Sequence, residues 1–522
     1  MKKVLRNKNN NLQRIKSSLM NMLTSASSQV VLGIVSFIER AIFLKYLTAD
    51  LNGLNSLFFT VLSVLSISEL GISSAIAFGL YKPIAEEDEE KIYAYMNIFR
   101  KAYYFIGSLI IACGFCLTPF IERFSKASEP IPGIHLYFII YFLAVGLTYF
   151  SSYKQVLLEA DQKKYIVNVG YCTGSIIQYL LQICVVVYTK NFTLYLIVFF
   201  ITNIGKNIIL SMITDKHYPF LKNKKYKKVK ISQDERKGLI TNIKALCFHK
   251  LGEITISNTD NLLISYFFNL TTLGLYANYK IIVEAAYGAM RVFYLSITAS
   301  IGNICATEND EIIYTGFKGI NFVNYLLFSL TTSLLIILFQ PIISLWVGKR
   351  FLLDFSTTVL IALVFFLAGL RKIIMNYHDA FGLFWADKYK SLLEAAVNLV
   401  LSLIFLKRYG LNGIFIGTIV SNICVGIWFE AYVVYKHGFK RNFFTYLGTI
   451  AIYILATAFT TCVAYKATEF LVVTNWFDLI LKAVMIFLIL LILNFLLFFN
   501  TTSIRALRQS IKVRIKHRLN KI

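Results

Sequence analysis

Residues 479–499 read LILKAVMIFLILLILNFLLFF, a run of 21 residues with a single charged side chain, Lys482. About 20 predominantly apolar residues are enough for a helix to span the hydrocarbon core of a bilayer, so this run predicts a transmembrane helix. The whole chain has the same character, because hydrophobic residues make up 57% and charged residues 16% of its 522 residues. Soluble domains average about 25% charged residues. The composition therefore indicates an integral membrane protein.

Similar apolar runs recur along the chain and predict an all-α integral membrane protein of about fourteen transmembrane helices. The predicted spans are residues 18–46, 55–81, 98–120, 135–154, 165–188, 192–214, 246–268, 273–302, 320–347, 355–377, 389–407, 411–435, 442–465 and 475–499. When Lys244 is counted with the span that follows it, and Lys and Arg at the other span ends with the adjoining segments, one side of the membrane holds 35 and the other holds 9. Because cytoplasmic segments are enriched in Lys and Arg, both termini are expected in the cytoplasm.

The formal net charge of +25 follows the same pattern, since the basic residues lie in short segments between apolar runs. This distribution indicates contact with an acidic leaflet and gives no basis for nucleic-acid binding. The predicted segments are a basic cytoplasmic N-terminus (1–17), an N-lobe of six spans (18–214), a basic cytoplasmic linker (215–238), a C-lobe of six spans (239–437), two C-terminal spans (438–500) and a basic cytoplasmic tail (501–522).

Short sequence matches relate the two six-helix lobes at nearly one offset. The matched pairs are residues 52–54 with 273–275 (offset 221), 202–204 with 421–423 (offset 219) and 160–164 with 386–390 (offset 226). They lie at equivalent points of the two lobes and suggest a duplication. Because each lobe has an even number of spans, both lobes enter the membrane from the same side. This predicts a parallel repeat about an axis along the membrane normal, with a cleft between the lobes.

Charged side chains inside the predicted spans are the candidate site, because a charge at the bilayer centre costs roughly 2.5–3.5 kcal/mol on insertion scales and should face a cavity or a partner. The candidates for substrate contact are Arg40, Glu69, Asp260, Lys280, Arg291 and Arg371. The candidates for coupling to H⁺ or Na⁺ are Glu39, Glu69, Asp260 and Glu284. A structural ion pair explains Lys280 and Glu284 about as well, since they are four residues apart on one helix. No catalytic residue, metal site or other cofactor is expected.

Several stretches carry a resemblance to a known family. In the N-terminal half they are residues 37–44 (FIERAIFL), 51–58 (LNGLNSLF), 68–72 (SELGI) and 80–85 (LYKPIA), and in the C-terminal half residues 380–387 (AFGLFWAD) with Glu394 and Asn398, and residues 410–418. These stretches resemble bacterial polysaccharide repeat-unit flippases of the multidrug/oligosaccharidyl-lipid/polysaccharide exporter superfamily. One departure is Thr48, which follows Leu47 where relatives often carry Gly.

The resemblance implies a flippase that carries an undecaprenyl-pyrophosphate-linked oligosaccharide across the bacterial cytoplasmic (inner) membrane by alternating access of two lobes. The implied pathways are capsule, exopolysaccharide or O-unit assembly, and the implied partners are the lipid-linked oligosaccharide, membrane lipids, a polysaccharide polymerase and glycosyltransferases. Arg40 corresponds by position to an arginine of the family's first helix. Several Arg and Lys in a cleft suit an anionic ligand, because guanidinium and ammonium groups bind phosphate.

Two other classes remain open from the sequence. A multidrug/cation antiporter of the same fold would use Glu39, Glu253 or Asp260 as a proton or sodium site, although such proteins usually have twelve spans. A polysaccharide polymerase or a lipid-linked glycosyltransferase would be a membrane enzyme, and such enzymes generally carry a large outer loop. The largest predicted outer segment here is residues 121–134, so the chain is not expected to be an enzyme. The lipid II flippases usually have more arginine in the N-lobe, which disfavours that substrate.

Overall fold

The computed structural model describes residues 2–69, 72–126, 130–223, 225–226, 229, 231–383, 386–387, 389–501 and 504–505. Every regular element in this part of the chain is helical, which confirms the prediction of an all-α protein. The helices group into two compact units, Met1–Ala277 and Asn278–Ile522.

The first unit is built from eleven α-helices and the beginning of a twelfth. They are α1 (Lys2–Tyr46), α2 (Ala49–Leu65), α3 (Ile72–Ala85), α4 (Glu89–Leu117), α5 (Ile121–Phe124), α6 (Ile134–Gly146), α7 (Tyr149–Ser152), α8 (Gln155–Ala160), α9 (Lys164–Thr189), α10 (Phe192–His217), α11 (Gln233–Phe267) and α12 (Leu270–Thr307). The basic N-terminus predicted for residues 1–17 is thus continuous with the first membrane helix from Lys2 onwards.

The second unit contains the rest of α12 and the remaining helices. They are α13 (Asp310–Trp346), α14 (Phe355–Leu370), α15 (Lys372–Ala380), α16 (Lys390–Tyr409), α17 (Leu411–Ser421), α18 (Trp428–Val433), α19 (Phe444–Ala467) and α20 (Trp476–Phe498). Two π-helical segments, Asn422–Ile427 and Val434–Phe439, continue α17 and α18. Most of the predicted tail, residues 506–522, lies outside the described residues.

The division between the units falls after the predicted linker, within α12. The reason is that α11 packs against α2. Side-chain hydrogen bonds support this packing, since Asn258 donates to the Ser63 hydroxyl at 3.3 Å and Asn261 donates to the Thr60 hydroxyl at 2.8 Å. The lobe boundaries drawn from the sequence stay a prediction.

Polar side chains at the N-caps explain where several long helices begin. A capping side chain accepts a hydrogen bond from a backbone N–H that has no partner within the helix. The capping pairs are Thr48 with Leu51, Asp88 with Lys91, Asn191 with Leu194, Asn309 with Ile312 and Asn475 with Asp478. Ser232 and Glu235 form a reciprocal capping box at the beginning of α11, and hydrogen bonds from the Ser232 backbone and hydroxyl lower the pKa of the Glu235 carboxyl.

Ten helical segments among the described residues are long and apolar enough to cross a membrane. They are Met20–Tyr46, Glu89–Phe124, Ile134–Ser152, Lys164–Thr189, Phe192–His217, Asp310–Trp346, Phe355–Ala380, Leu411–Phe439, Phe444–Ala467 and Trp476–Phe498. Large apolar side chains on the last helix are open to the outside of the protein, with Phe477 74% and Leu496 67% exposed. Both observations define a multi-pass membrane protein.

Four predicted spans fall on helices outside that group of ten. Residues 55–81 cover α2 and α3, which are separated by a 3₁₀ turn at Ser66–Glu69, so neither piece is long enough alone. Residues 246–268, 273–302 and 389–407 lie on α11, α12 and α16. The helices exist where the sequence places them, but the count of about fourteen spans stays a prediction.

The predicted second, fourth and tenth spans are interrupted near their middles. The second breaks at Ser66–Glu69, the fourth is divided between α6 and α7, and the tenth changes from α14 to α15 at Arg371. Ser66–Glu69 is a 3₁₀ helix, and Leu147, Thr148 and Arg371 keep right-handed helical dihedrals, so each interruption is a local change of hydrogen bonding within a helical backbone. The polar side chains of the candidate site gather at these interruptions.

The beginnings of α2 and α12 approach more closely than side chains would allow. A Cβ on Gly53 would lie 1.9 Å from the Leu270 carbonyl oxygen, and a Cβ on Gly274 would lie 2.1 Å from the Ala49 carbonyl oxygen. The Asn52 amide donates to the Gly274 carbonyl oxygen at 2.8 Å. Gly53 and Gly274 belong to the pair of matched segments at offset 221, and Ala49 and Leu270 are also 221 residues apart. Equivalent residues of the predicted repeat therefore make equivalent contacts here.

Candidate functional site

Glu69 lies at the break in the second predicted span. Its Oε1 accepts hydrogen bonds from the hydroxyls of Tyr103 and Ser73, the latter at 3.4 Å, and its Oε2 accepts from the Tyr149 hydroxyl at 2.7 Å. These donors come from α3, α4 and α7. Three protein hydroxyls thus replace the water that a carboxylate would lose inside a membrane span.

Glu39 and Arg40 are adjacent on α1 but have different surroundings. Glu39 is buried, and its Oε1 accepts a hydrogen bond from the Tyr195 hydroxyl at 2.9 Å. Arg40 is half-buried, and its guanidinium carbon lies 6.0 Å from the centre of the Phe43 ring. Its Nε and Nη1 are buried and have no hydrogen-bond acceptor in the described part of the chain. Arg40 therefore has the N–H groups of two nitrogens available for an anion.

A neutral polar cluster surrounds Asn207 of α10. Its side-chain oxygen accepts hydrogen bonds from the Tyr171 hydroxyl and from the Gln155 amide, both at 3.0 Å. The neighbouring Lys206 ammonium donates to Gln178 at 3.4 Å and lies 5.3 Å from the centre of the Tyr171 ring. The Lys206 ammonium is thus positioned by the Gln178 amide and the face of the Tyr171 ring.

The segment 160–164, one of the predicted repeat matches, forms a separate contact at the end of α8. The Tyr218 hydroxyl donates to Asp161 at 2.6 Å, and the Lys163 ammonium lies 2.7 Å from the same carboxylate. Burial and the Asp161 carboxylate raise the pKa of the Tyr218 hydroxyl, which therefore remains a donor. This contact ties the end of α10 to the beginning of α9.

Asp260 is buried on α11, one residue before Asn261 and two after Asn258, the two side chains that hydrogen-bond to α2. Asp260 thus belongs to the segment of α11 that packs against α2. The side chain of Glu253 lies outside the described residues.

Arg371 is the centre of a buried charge network in the second unit. Its Nη1 and Nη2 donate to Glu394 at 2.5 and 2.9 Å, and its Nε and Nη2 donate to Glu430 at 3.0 and 2.6 Å. Nη1 also donates to Asn422 at 2.5 Å. A guanidinium has five N–H groups, and these five hydrogen bonds use all of them. In this conformation Arg371 has no N–H left for a substrate.

Lys390 completes the network. Its ammonium lies 3.2 Å from Glu394 and also contacts Glu430, and all four charged side chains are less than a tenth exposed. Two cations face two carboxylates, so the network is neutral as a whole. Buried charges are tolerated when they are paired and hydrogen-bonded, and this arrangement meets both conditions.

The charged residues of α12 form no comparable network. Lys280 is half-buried, whereas Glu284 and Arg291 are exposed. Among the described side chains no ion pair joins these three residues to one another, so the structural ion pair considered for Lys280 and Glu284 is absent in this conformation. The spacing of four residues permits such a pair, but α12 presents these charges separately.

The structure is thus that of a multi-pass membrane protein with polar clusters inside several of its helices. No family model matches the chain, and no curated protein matches it. A structure of the lipid II flippase MurJ in an inward closed conformation matches with a TM-score of 0.65 at 15% identity, over 91% of this chain and 99% of that chain. The fold is therefore that of a known membrane flippase.

Multidrug transporters share the same fold. An inward-facing multidrug resistance MATE family transporter of the MOP superfamily matches with a TM-score of 0.61 at 12% identity, over 79% of this chain and 98% of that chain. The MATE transporter VcmN of Vibrio cholerae matches with a TM-score of 0.57 at 14% identity, over 83% and 99%. The matched proteins are flippases and transporters, and at these identities the matches define the fold.

The structure brings together residues that the sequence does not single out. Tyr103, Tyr149, Gln155 and Asn207 are neutral, so an inventory of charges passes over them. Glu430 lies near the end of the twelfth predicted span, yet it is 2% exposed and ion-paired with Arg371 and Lys390. The resemblance of residues 380–387, with Glu394 and Asn398, points to this region without indicating the pairing.

Proposed function

We propose that this chain is a flippase that moves an undecaprenyl-pyrophosphate-linked oligosaccharide repeat unit across the bacterial cytoplasmic membrane. The transport step is alternating access of two six-helix lobes, and the chain makes no covalent change in its substrate. The polymer served is a capsule, an exopolysaccharide or an O-unit polymer. Both chain termini are proposed to lie in the cytoplasm, in accord with the distribution of Lys and Arg.

The observation that carries this proposal is the unpaired guanidinium of Arg40. Its Nε and Nη1 are buried without an acceptor in the described part of the chain, on a helix long and apolar enough to span the membrane. An unpaired buried donor on a permanent cation is costly, and a pyrophosphate would supply both the acceptors and the opposite charge. By contrast, Arg371 is already neutralised by carboxylates.

The charges of α12 support a water-filled cleft. Glu284 and Arg291 are exposed and are not paired with each other, on a helix that the sequence places in the membrane. Exposure of such charges to hydrocarbon would be expensive, so these side chains are proposed to face water. Lys280 and Arg291 on this helix suit an anionic substrate.

The extent of the structural matches favours a lipid flippase over a drug transporter. The MurJ structure covers 91% of this chain, whereas the two MATE structures cover 79% and 83%. MurJ is a flippase for lipid II, so its cargo is a lipid. We infer a cargo of the same general kind for this chain, with the linked oligosaccharide as the difference.

A deletion strain tests the proposal. Loss of the protein should leave lipid-linked repeat units on the inner leaflet and abolish surface polymer, while repeat-unit synthesis continues. Failure to form the units at all would favour an enzyme. Arrest of cell-wall growth with normal surface polymer would assign lipid II as the substrate.

The second candidate function is a multidrug/cation antiporter, favoured by the carboxylate of Glu69 with its three hydroxyl donors at a helix break. Such a site could bind H⁺ or Na⁺ during exchange. Drug efflux from cells carrying the protein, driven by an imposed proton or sodium gradient and lost in Glu69→Gln, would support this function. Unchanged drug susceptibility in the deletion strain would count against it.

A further inference from the structure

A cavity of about 230 Å³ lies in the second unit, where the beginnings of α13 and α19 meet the end of the twelfth predicted span. Its lining is aromatic and polar rather than aliphatic. The residues that matter for its chemistry are Tyr314, Lys318, Asn321, Tyr435, Thr445 and Tyr446. None of them belongs to the candidate transport site described above.

Two cations flank one aromatic wall of this cavity. The Lys318 ammonium lies 4.8 Å and the Arg441 guanidinium carbon 4.4 Å from the centre of the Tyr314 ring. Arg441 is paired with Glu311 on the protein surface. Lys318 has no carboxylate within 4.0 Å among the described side chains, so its only described contact is the tyrosine ring. The cavity therefore carries an excess of positive charge.

Asn321 provides a second, independent indication of a ligand. Its side chain is 3% exposed, lines the cavity and makes no hydrogen bond within the described part of the chain. Its amide therefore keeps its hydrogen-bonding capacity toward the cavity, where a ligand can satisfy it. Asn321 lies three residues after Lys318, so both side chains lie on the same face of α13.

We propose that this cavity binds the phosphodiester headgroup of an anionic glycerophospholipid. The Lys318 ammonium supplies charge and a hydrogen-bond donor for the phosphate, the Asn321 amide supplies a second donor, and the Arg441–Glu311 ion pair lies at the edge. A bound headgroup would bridge α13 and α19. This site is separate from the transport route and does not depend on the identity of the transported substrate.

The position of the cavity favours a lipid over a soluble anion. It lies near the beginning of α19, whose outer face exposes Phe444 (65%), Ile452 (58%) and Leu455 (70%). Acyl chains can lie along this apolar face while the headgroup enters beside Thr445. The adjoining Lys440 and Arg441 belong to a segment that charge counting places in the cytoplasm, where the leaflet is rich in anionic lipids.

The cavity is too small to be a binding site for the transported molecule. Pockets for drug-sized ligands have volumes of about 300–1,000 Å³, and an oligosaccharide with its pyrophosphate needs at least as much. A cavity of about 230 Å³ admits one headgroup. Its occupant is therefore a resident lipid rather than cargo.

The test measures lipid binding to the purified full-length protein by native mass spectrometry and by the melting temperature in detergent. Phosphatidylglycerol should bind and raise the melting temperature, and phosphatidylcholine should have a much smaller effect. Lys318→Gln should weaken phosphatidylglycerol binding about tenfold, since it removes one charge-assisted hydrogen bond. Asn321→Leu, which keeps the side-chain volume, should weaken binding as well. Lys466→Gln, at an exposed position near the end of α19, is the matched control and should bind as the wild type does.

Two results would overturn the proposal. One is equal binding of phosphatidylglycerol and phosphatidylcholine by the wild-type protein, a comparison that needs no variant to fold. The other is undiminished phosphatidylglycerol binding in both Lys318→Gln and Asn321→Leu. Inorganic phosphate serves as the soluble probe, and protection by phosphate equal to that by phosphatidylglycerol would assign the cavity to a free anion and exclude the lipid.

Discussion

Arg40 and Arg371 are both arginines inside predicted spans, yet they have opposite environments. Arg371 makes five hydrogen bonds to two carboxylates and an amide, whereas two nitrogens of Arg40 have no acceptor in the described part of the chain. We therefore expect substitutions at these two positions to fail in different ways. Substitution of Arg40 should impair transport, whereas substitution of Arg371 should impair folding.

Substitutions of Arg40 should lower the transport activity of each protein molecule. Arg40→Lys should retain part of the activity, because an ammonium keeps the charge but loses the planar fork of the guanidinium. Arg40→Ala should abolish nearly all of it at a normal protein level. The measurement is surface polymer normalised to the amount of protein in the membrane, with Lys45→Ala, at an exposed position on the same helix, as the control. Normal export per molecule by Arg40→Ala would remove Arg40 from the proposed site.

Substitutions of Arg371 should lower the stability of the folded protein. Arg371→Met leaves Lys390 to neutralise two buried carboxylates, and breaking a buried ion pair in this way costs roughly 3–5 kcal/mol. The melting temperature of the purified protein should fall, and the control Lys349→Gln, at an exposed position, should leave it unchanged. The double variant Arg371→Met with Glu430→Met leaves Lys390 paired with Glu394, so it should recover part of the loss. A double variant no more stable than Arg371→Met would show that the pairing is not the cause.

The charges of the site could be predicted from the sequence, but their partners could not. Charged residues inside apolar runs stand out, and this is what makes Arg40, Glu69 and Arg371 candidates. Whether each is neutralised depends on residues far away in the chain, as with Arg371 and Glu430 on different helices. Neutral donors such as Tyr149 give no such signal, because tyrosine is common throughout the apolar runs.

The helices themselves contain local breaks that a hydropathy pattern does not record. Residues 55–81 form one apolar run, but the helix ends at Leu65 and resumes at Ile72, with Glu69 between them. Hydropathy depends on composition, and the composition of Ser66–Glu69 is compatible with a continuous helix. The position of the break is explained by the hydroxyls of Tyr103 and Tyr149, which donate hydrogen bonds to the Glu69 carboxylate in the interior of the protein.

The contact between α2 and α12 should be sensitive to a single methyl group. Gly53→Ala places a Cβ against the Leu270 carbonyl oxygen, and the two helices must separate to admit it, at a cost of about 1–3 kcal/mol. The melting temperature should fall accordingly. Gly205→Ala, on α10 with open space around the new Cβ, is the control and should be neutral or slightly stabilising. Equal melting temperatures for the two variants would rule out a close contact at Gly53.

For the molecule as a whole, the orientation in the membrane can be tested at the two ends of α13. Lys440 lies 3.9 Å from Asp310 at the beginning of this helix, and Lys349 follows its end at Trp346. A helix of 37 residues is about 55 Å long, more than the thickness of a bilayer, so we expect these two lysines at opposite faces of the membrane. In a variant without the eight native cysteines, Lys349→Cys should react with an impermeant thiol reagent in whole cells and Lys440→Cys should not. Labelling of Lys440→Cys and not of Lys349→Cys would show that the protein has the opposite orientation.

The fold class followed from the length and number of the apolar runs, because a chain this poor in charge can bury its helices only in a bilayer. The division into two compact units did not follow. Contacts place α11 with the first unit, although the longest basic segment precedes it. A basic segment marks where the chain leaves the membrane, and it carries no information about which helices pack together afterwards.

The contact at Gly53 and Gly274 has a consequence for the origin of the chain. Thr271 donates a hydrogen bond to Asp50, and these two residues are themselves 221 positions apart. When each residue meets its own counterpart, the surface is self-complementary, as in a twofold homodimer. If the predicted repeat arose by duplication, an ancestor with a single copy would have placed its glycine against the same glycine of a second molecule. Gene fusion would then have joined two polypeptides that already assembled as a pair, and each copy could afterwards acquire its own charges.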